Sequence, residues 1–458
     1  CGSVDVIVRR MPLAPGPTEF QNLLLAPKIL SDPRGPIMEL TGRYGRIWRS
    51  RTVAKGGLRD MVWLLGAEHN ERVLGPAYKD DFSWFEGYSF SMEPLFGRDI
   101  LFLSDDQTQL GREGAHRRRH RLLIPAFGTK LDGLYLPAMA AIIARYLDPL
   151  PLDVPVDLAA TVKQVTFHVV ATLLFGAEVE ALPQLLHLFE QIGLGLFSLV
   201  HLAIPGLPFY RASRARKKLA GYIKDRLTIY RSGQAEPPTF LAQLLHAEGE
   251  DGERLSDETL VSEMLAFLFA GYDTTASMLT SVLVALAEQP EVLPLLREEL
   301  SSLDISQVQR GQLPDTPYLD AVLAETERLF PPLTFALRGA VRDLEISGYT
   351  IRKGDRVTYS PYFTGRDPEL FPEPTRFDAM RFYQKKPRPY SLLGFGGGHR
   401  PCIGKRFALL EMRLFVATLL VRFDVKFAPQ QSNAVFFNPT MQRTNGYWGT
   451  LSLNRTAS

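Results

Sequence analysis

One cysteine lies in the body of the chain, within Phe395-Gly396-Gly397-Gly398-His399-Arg400-Pro401-Cys402-Ile403-Gly404; the other, Cys1, is the first residue. Glycine turns the backbone through positive φ and lets a flat ligand approach closely, and glycines flank this thiol on both sides. Arg400 places a cation two residues before it. Lys405 to Leu420 then carries Phe407, Leu410, Leu414, Phe415 and Leu419 at helical spacing. A Cys402 thiolate would therefore stand just ahead of a helix N-terminus, where free N–H groups and the dipole stabilise it. That is the chemistry of a metal ligand; the plainer reading is a buried structural cysteine.

A second chemical run lies upstream. Ser256-Asp257-Glu258 reads as a capped helix start with carboxylates in its first turn, and the apolar pattern runs on to Glu288, ahead of Pro290. The middle of this helix is Phe269-Ala270-Gly271-Tyr272-Asp273-Thr274-Thr275. Gly271 and two adjacent threonines are poor residues for a helix centre. Asp273, inside an apolar stripe, costs free energy unless it has a partner. Such local rule-breaking points to a functional site, the alternative being a kinked core helix.

Two further patterns are weaker. In Gly114-Ala115-His116-Arg117-Arg118-Arg119-His120-Arg121, His116 and His120 share a helix face and could bind a metal together. The same run reads as a solvated face, an anion patch or a nucleic-acid patch. Glu325 and Arg328 are three apart on another helical segment and can pair.

The elements that position these residues follow from pattern. Residues 18–45 predict helix. Arg46 to Val53 and Asp60 to Leu65 predict strands joined through Lys55-Gly56-Gly57. Residues 81–103 hold Phe82, Trp84, Phe85, Tyr88, Phe90, Phe96 and Phe102, with Gly87, Pro94 and Gly97 breaking any period, so a loop is expected. Residues 192–209 are apolar but too short and too rich in glycine and proline to cross a membrane. They read as buried core or as a hydrophobic lid meeting lipid or greasy substrate. Residues 341–359 predict a hairpin turning at Lys353-Gly354-Asp355.

The totals narrow the class. The 458 residues are 45% hydrophobic and 22% charged, as in a soluble globular protein. A net charge of +2 gives no global pull toward nucleic acid, so no nucleic-acid partner is expected. One internal cysteine supplies neither a disulfide framework, unless Cys1 pairs with Cys402, nor a multi-cysteine zinc site, which fits a reduced, cytoplasmic setting. Pro12-Leu13-Ala14-Pro15-Gly16-Pro17 forms a stiff lead-in, and no signal peptide or anchor precedes it in these residues.

Phe395-x-x-Gly398-x-Arg400-x-Cys402-x-Gly404, followed by an apolar helix, resembles the haem-binding signature of the cytochromes P-450, the haem-thiolate monooxygenases. Ala270-Gly271-Tyr272-Asp273-Thr274-Thr275 resembles that family's oxygen-binding motif, and Glu325-x-x-Arg328 its Glu-x-x-Arg motif, in the right order. The resemblance covers nearly the whole chain. It implies a proline-rich lead-in over 1–17 and one domain over 18–458, a mainly α triangular prism with small β-sheets near 46–66 and 341–359. Haem b would lie between the Ser256 helix and the Cys402 loop, with Cys402 as the iron ligand and Phe395 and Arg400 beside it. His116, His120 and Arg338 would hold the haem propionates; arginine is usual where this chain has His120. Gly271 would make room for dioxygen at a local helix bulge, Thr274 would hydrogen-bond the bound oxygen and Asp273 would feed protons inward. Glu325 and Arg328 would lock the fold together with Arg381, although Ala379-Met380 replaces the usual Pro-Glu before that arginine. Phe85, Phe90, Phe96, Ala270, Phe335 and Phe437 would line the substrate pocket.

The function so implied is insertion of one oxygen atom from O2 into a hydrophobic small molecule: a fatty acid, terpenoid, steroid or polyketide. Electrons would come from a separate ferredoxin or flavodoxin meeting outward-facing Arg117–Arg121, Lys405 and Arg406. A monomer is expected, with a peripheral membrane contact through residues 192–209. Two other readings stay open: a haem-thiolate enzyme that uses or isomerises a peroxide, and a non-enzymatic haem carrier or sensor.

Overall fold

The Ser256 hydroxyl accepts a hydrogen bond from the Thr259 N–H at 3.2 Å and starts a 32-residue helix, Asp257–Glu288. This central helix runs through the apolar interior, and the other core helices are arranged around it. Leu158–Phe175, Pro208–Arg231, Trp84–Phe96, Pro317–Leu329 and Lys405–Arg422 all pack on it. The computed structural model describes residues 11–54, 57–106, 114–128, 132–196, 198, 201–233, 239–249, 252–432, 434–437 and 440–454. Among the described residues, two helices, Leu158–Phe175 and Asp257–Glu288, are long and apolar enough to cross a membrane; 78% of each apolar window is buried inside the protein.

Strands gather in small sheets. The largest has the order Ile47–Ala54, Gly57–Leu64, Arg356–Tyr359, Ala336–Ala340, Phe82–Ser83. Only the pairing of Gly57–Leu64 with Arg356–Tyr359 is parallel. Trp48 and Trp63, opposite each other on its first two strands, stack at 4.6 Å and anchor the N-terminal layer. Residues 55 and 56, in the predicted turn, lie outside the described residues, as do 1–10 of the lead-in.

Two expectations are corrected. Residues 81–103 are not a loop: Trp84–Phe96 is a helix, capped by the Ser83 hydroxyl, which accepts from the Glu86 N–H at 2.9 Å. Gly87 is there because a Cβ would come within 3.0 Å of Arg338 Cα and the Leu337 carbonyl. Pro94 lies two residues before the helix ends at Phe96. The turn at Lys353-Gly354 closes no hairpin. Tyr349–Ile351 pairs with Leu344–Ile346 through Ser347 and Gly348, both at positive φ as a tight hairpin turn requires, while Arg356–Tyr359 joins the large sheet. Residues 192–196 form the end of helix Leu182–Leu196, where Ile192, Gly193, Gly195 and Leu196 are buried as the core reading expects and a Cβ on Gly195 would strike Ala212. Beyond it Leu202 and Ile204 are exposed, as is Leu194 on the helix.

The last turn of Pro317–Leu329 carries the most enclosed ion pair among the described residues. Arg328 grips Glu325 through two bonds of 2.7 and 2.6 Å, with neither side chain exposed. Its other donors reach the carbonyls of Gly365, Pro374 and Arg376. Glu325 accepts the Asp378 N–H at 2.7 Å and faces Arg381 at 3.5 Å. Removing one partner of a buried pair strands the other's charge. Arg328→Ala is therefore expected to lower unfolding free energy by about 3–5 kcal/mol in chemical denaturation. Arg254→Ala, at an exposed pair with Glu248, should cost under about 1 kcal/mol. Equal losses would remove the structural role of the buried pair.

Candidate functional site

The Cys402 loop is held by its backbone. The Cys402 N–H donates to the Phe395 carbonyl at 2.9 Å, and Gly396 to Leu393 at 2.9 Å. Gly396 and Gly398 lie at φ +70° and +67°. A Cβ on Gly398 would sit 1.8 Å from the Leu74 carbonyl oxygen, so only glycine allows this approach. His399 Nδ1 lies 3.0 Å from the same oxygen. Buried Glu327, one residue from Arg328, accepts the Phe395 N–H at 3.3 Å. Cys402 is surrounded by protein atoms, yet it keeps accessible surface. Burial pushes its thiol up, while the Gly404 and Lys405 N–H groups pull it back. Phe127 links this loop to the central helix: it lies 3.9 Å from the place of a Gly404 Cβ and meets Phe267 edge-on at 5.4 Å.

On the central helix, Ala270, Gly271 and Thr274 are partly open amid buried neighbours. One side of the helix centre therefore borders a space. The expected bulge is absent: the helix is continuous, and the Thr274 hydroxyl donates to the Ala270 carbonyl at 2.5 Å. A Cβ on Gly271 would press on Val170 at 3.3 Å, so the glycine also serves close packing against Leu158–Phe175. Asp273 is buried, accepts from Gln442 at 3.1 Å, and is pushed up by burial to about 7.

The pocket aromatics divide. Phe85 and Phe96 are buried in the main core, Phe96 tilted onto Phe269 at 5.4 Å, so they support the wall and do not present a face to ligand. Phe90 is half-buried and stacks on His201 at 4.6 Å. Phe335 and Phe437, half-buried, stack at 5.7 Å. Residues 438 and 439, beyond Phe437, lie outside the described residues.

A cluster of donors forms the third part of the site. Buried Arg338 holds its guanidinium 3.9 Å from the centre of the Trp84 ring. Arg400 lies 5.0 Å from the same ring and donates to the Ser104 and Leu101 carbonyls and, at 3.3 Å, to Asp105. Asp105 already accepts from the Ser83 hydroxyl and the Trp84 and Phe85 N–H groups. The Trp84 indole N–H is buried with no protein partner. His116 stands 3.7 Å from Asp106, and burial lowers it to about 4, so it is a neutral donor at pH 7. His120, one turn on, has its ring 5.7 Å from that of His116 and is lowered by burial and by Arg400. No group of three or more potential metal ligands surrounds this histidine pair among the described residues. Arg117, Arg118 and Arg121 are exposed as expected, but Arg119 turns inward to buried Glu263 at 3.2 Å.

Sequence reasoning did not single out Trp84, Asp105, Lys163 or Gln442. Trp84 was one aromatic among seven, and the others carry no local signature.

The sequence model of one family, cytochrome P450, matches residues 14–447. The putative cytochrome P450 120 of Synechocystis sp. is 33% identical over 408 residues, which span 87% of each chain. Beta-amyrin 28-monooxygenase CYP716A378 of Saponaria officinalis is 30% identical over 355 residues, 74% of this chain and 72% of that one. Among solved structures, retinoic acid-bound cyanobacterial CYP120A1 superposes with a TM-score of 0.85 at 28% identity, covering 97% of this chain and all of that one. The mainly helical architecture with small sheets is shared with that structure.

The Gly398 geometry is directly testable. Gly398→Ala should cost at least about 1–2 kcal/mol from its positive φ alone, and more from the clash with Leu74, read as a fall in melting temperature. Gly397→Ala, whose Cβ would meet only Leu393 at 3.4 Å and Leu74 at 3.9 Å, should move the melt far less. Equal effects would show that the approach to Leu74 is not what demands glycine.

Proposed function

The chain belongs to the cytochrome P450 family, and on that premise we propose that this haem monooxygenase hydroxylates an isoprenoid-class hydrophobic substrate at the Cys402 site. Haem, which the family implies, supplies the iron at which O2 is activated, and a thiolate ligand donates electron density that favours O–O cleavage. The residues fit such a group. Cys402 keeps accessible surface, Ala270, Gly271 and Thr274 on the central helix are partly open, and the Trp84 indole N–H is buried without a protein partner beside Arg338, a donor set suited to an anionic edge.

In this reading the group is haem b and Cys402 is its ligand. Arg338, Arg400, His116 and the Trp84 N–H hold the propionates, with His120 behind them; Phe395 packs beside the thiolate. The observation that carries O2-dependent chemistry is the adjacent Asp273 and Thr274. A carboxyl that titrates near 7 is matched to carrying protons at neutral pH. Thr274, whose hydroxyl donates to the Ala270 carbonyl in this structure, would turn that hydroxyl into the pocket to pass a proton on. A peroxide-using enzyme or a gas sensor has no need of this acid and alcohol. Gly271 keeps the wall at this point thin, and Glu325, Arg328 and Arg381 brace the chain that leads into the cysteine loop.

The relatives support the substrate class: one is named for β-amyrin oxidation and one structure holds retinoic acid, both isoprenoids. Ala270, Phe90, Phe335 and Phe437 give the pocket an apolar wall. Exposed Arg117, Arg118, Arg121, Lys405 and Arg406 are the basic groups this reading assigns to an acidic ferredoxin or flavodoxin. We place the protein in the cytoplasm as a monomer, with Leu194, Leu202 and Ile204 available for membrane contact.

Optical titration of the ferric protein with triterpenes, retinoids, steroids and fatty acids tests the reading. A saturable Soret shift toward the high-spin form is expected with the isoprenoids; a shift with fatty acids alone would overturn the substrate class. Cys402→Ser should abolish the thiolate spectrum, and its persistence would remove Cys402 as ligand. Thr274→Ala should cut product formed per electron consumed by about 10-fold or more, the lower range for loss of a proton-transfer group being about 100-fold in rate. Unchanged coupling would count against the acid–alcohol assignment.

A further inference from the structure

Asp273 and Thr274 are neighbours in sequence but face different surroundings. Asp273 borders a cavity of about 340 Å³ beside the central helix, lined also by Lys163, Ser277 and Gln442; Thr274 is not on its wall. Gln442 Nε2 donates to Asp273 Oδ1 at 3.1 Å, and Gln442 Oε1 accepts from Lys163 Nζ at 3.0 Å. Three elements thus meet at one amide: helix Leu158–Phe175, the central helix and the strand Met441–Arg443. That strand is fixed in place. The Met441 N–H donates to the Pro332 carbonyl at 3.0 Å, and the Met441 carbonyl accepts from the Ser277 hydroxyl at 2.7 Å.

We propose that Gln442 and Lys163 are positioning residues for proton delivery, holding the Asp273 carboxyl toward this cavity so that it reloads with protons from the cavity side. The proposal rests on the reading of Asp273 as the proton carrier. The amide does two things that a direct Lys–Asp contact would not. It orients the carboxyl by a neutral hydrogen bond that is easily exchanged. It also keeps the ammonium one residue away, whereas an ammonium in contact would hold the carboxylate ionised. Burial raises Asp273 and Glu190 adds to this, while Lys163 and Gln442 oppose it; the balance leaves the group near 7. Asp157, Glu288, Arg34 and Arg443 are the other charged groups on the cavity wall. The proton sequence balances with solvent as the source: Asp273 gives its proton toward Thr274, becomes a carboxylate, and takes a replacement proton from solvent water entering the cavity, one solvent proton for each proton passed on.

The test compares haem-loaded wild type with Gln442→Met, which keeps length but lacks the amide, Lys163→Met and Asp273→Asn. The protonated-carboxyl infrared band, taken as each protein minus Asp273→Asn, is followed against pH. Glu263, Glu327 and Glu411, also raised by burial, cancel in that difference. Because each residue opposes the upward push, either Met variant should move the midpoint up by about one pH unit. The solvent kinetic isotope effect on kcat should rise at least 2-fold with KM unchanged. An unmoved midpoint in both variants overturns the proposal. So does a moved midpoint with an unchanged isotope effect, which would leave the pair tuning an acid off the proton path. If Asp273→Asn keeps full coupling, the acid role in the proposed function fails as well; if it uncouples while both Met variants behave as wild type, only this inference falls.

Discussion

The architecture around the site depends on a charge pair sealed from water. Arg328 and Glu325 meet in two bonds with neither side chain exposed. Isolated, either charge would be far too costly to bury. The cost is met by saturation: the remaining donors of Arg328 satisfy three carbonyls between 365 and 376, and Glu325 takes an N–H at 378. Irregular chain that would otherwise leave its carbonyls unsatisfied is fixed in one path. The same helical turn holds Glu327, which accepts the Phe395 N–H at the start of the cysteine loop. One turn of helix thus braces the approach to the loop and its first residue.

A second theme is carboxyl groups kept near neutrality by burial. Glu263 and Asp273 sit on the same central helix, and both are pushed up to about 7 although each has a polar partner. Desolvation outweighs the attraction because each carboxyl meets its cation through limited contact: Arg119 at 3.2 Å, and Lys163 only through Gln442. Glu263 also accepts the Leu101 N–H at 2.8 Å, tying the central helix to the segment that feeds Asp105 and Arg400. The burial that stabilises the apolar helix is therefore the physical origin of an acid able to exchange protons at pH 7.

Sequence legibility followed the range of the interaction. The Ser256 cap, the helix after Cys402 and the Glu325–Arg328 pair depend on residues within four positions, and all are formed as read. The aromatic stretch 81–103 runs against its local signals because glycine and proline normally break helices. Here Gly87 is required by backbone from residues 337 and 338, some 250 positions away, and Pro94 sits where the helix is ending. The hairpin at Lys353-Gly354 failed for a similar reason. Two turn signals compete within a dozen residues, and only the partner strands decide which of them closes a hairpin.

What the sequence by itself determined is the chemical inventory and its order: a cysteine in a glycine-rich loop, an acid and an alcohol in an apolar helix, and a Glu-x-x-Arg turn. These are legible because backbone geometry and side-chain spacing tie each to its own few residues. The tertiary structure alone decided what surrounds them. It brings the Trp84 indole beside Arg338, turns Arg119 inward while its neighbours face out, and sets Gln442 against Asp273 across 169 residues of chain. Such contacts leave no local trace, because each partner also occurs at countless positions where it meets only water. Their energies arise when folding removes that water, and the surroundings so created set the protonation of the groups the sequence had already named.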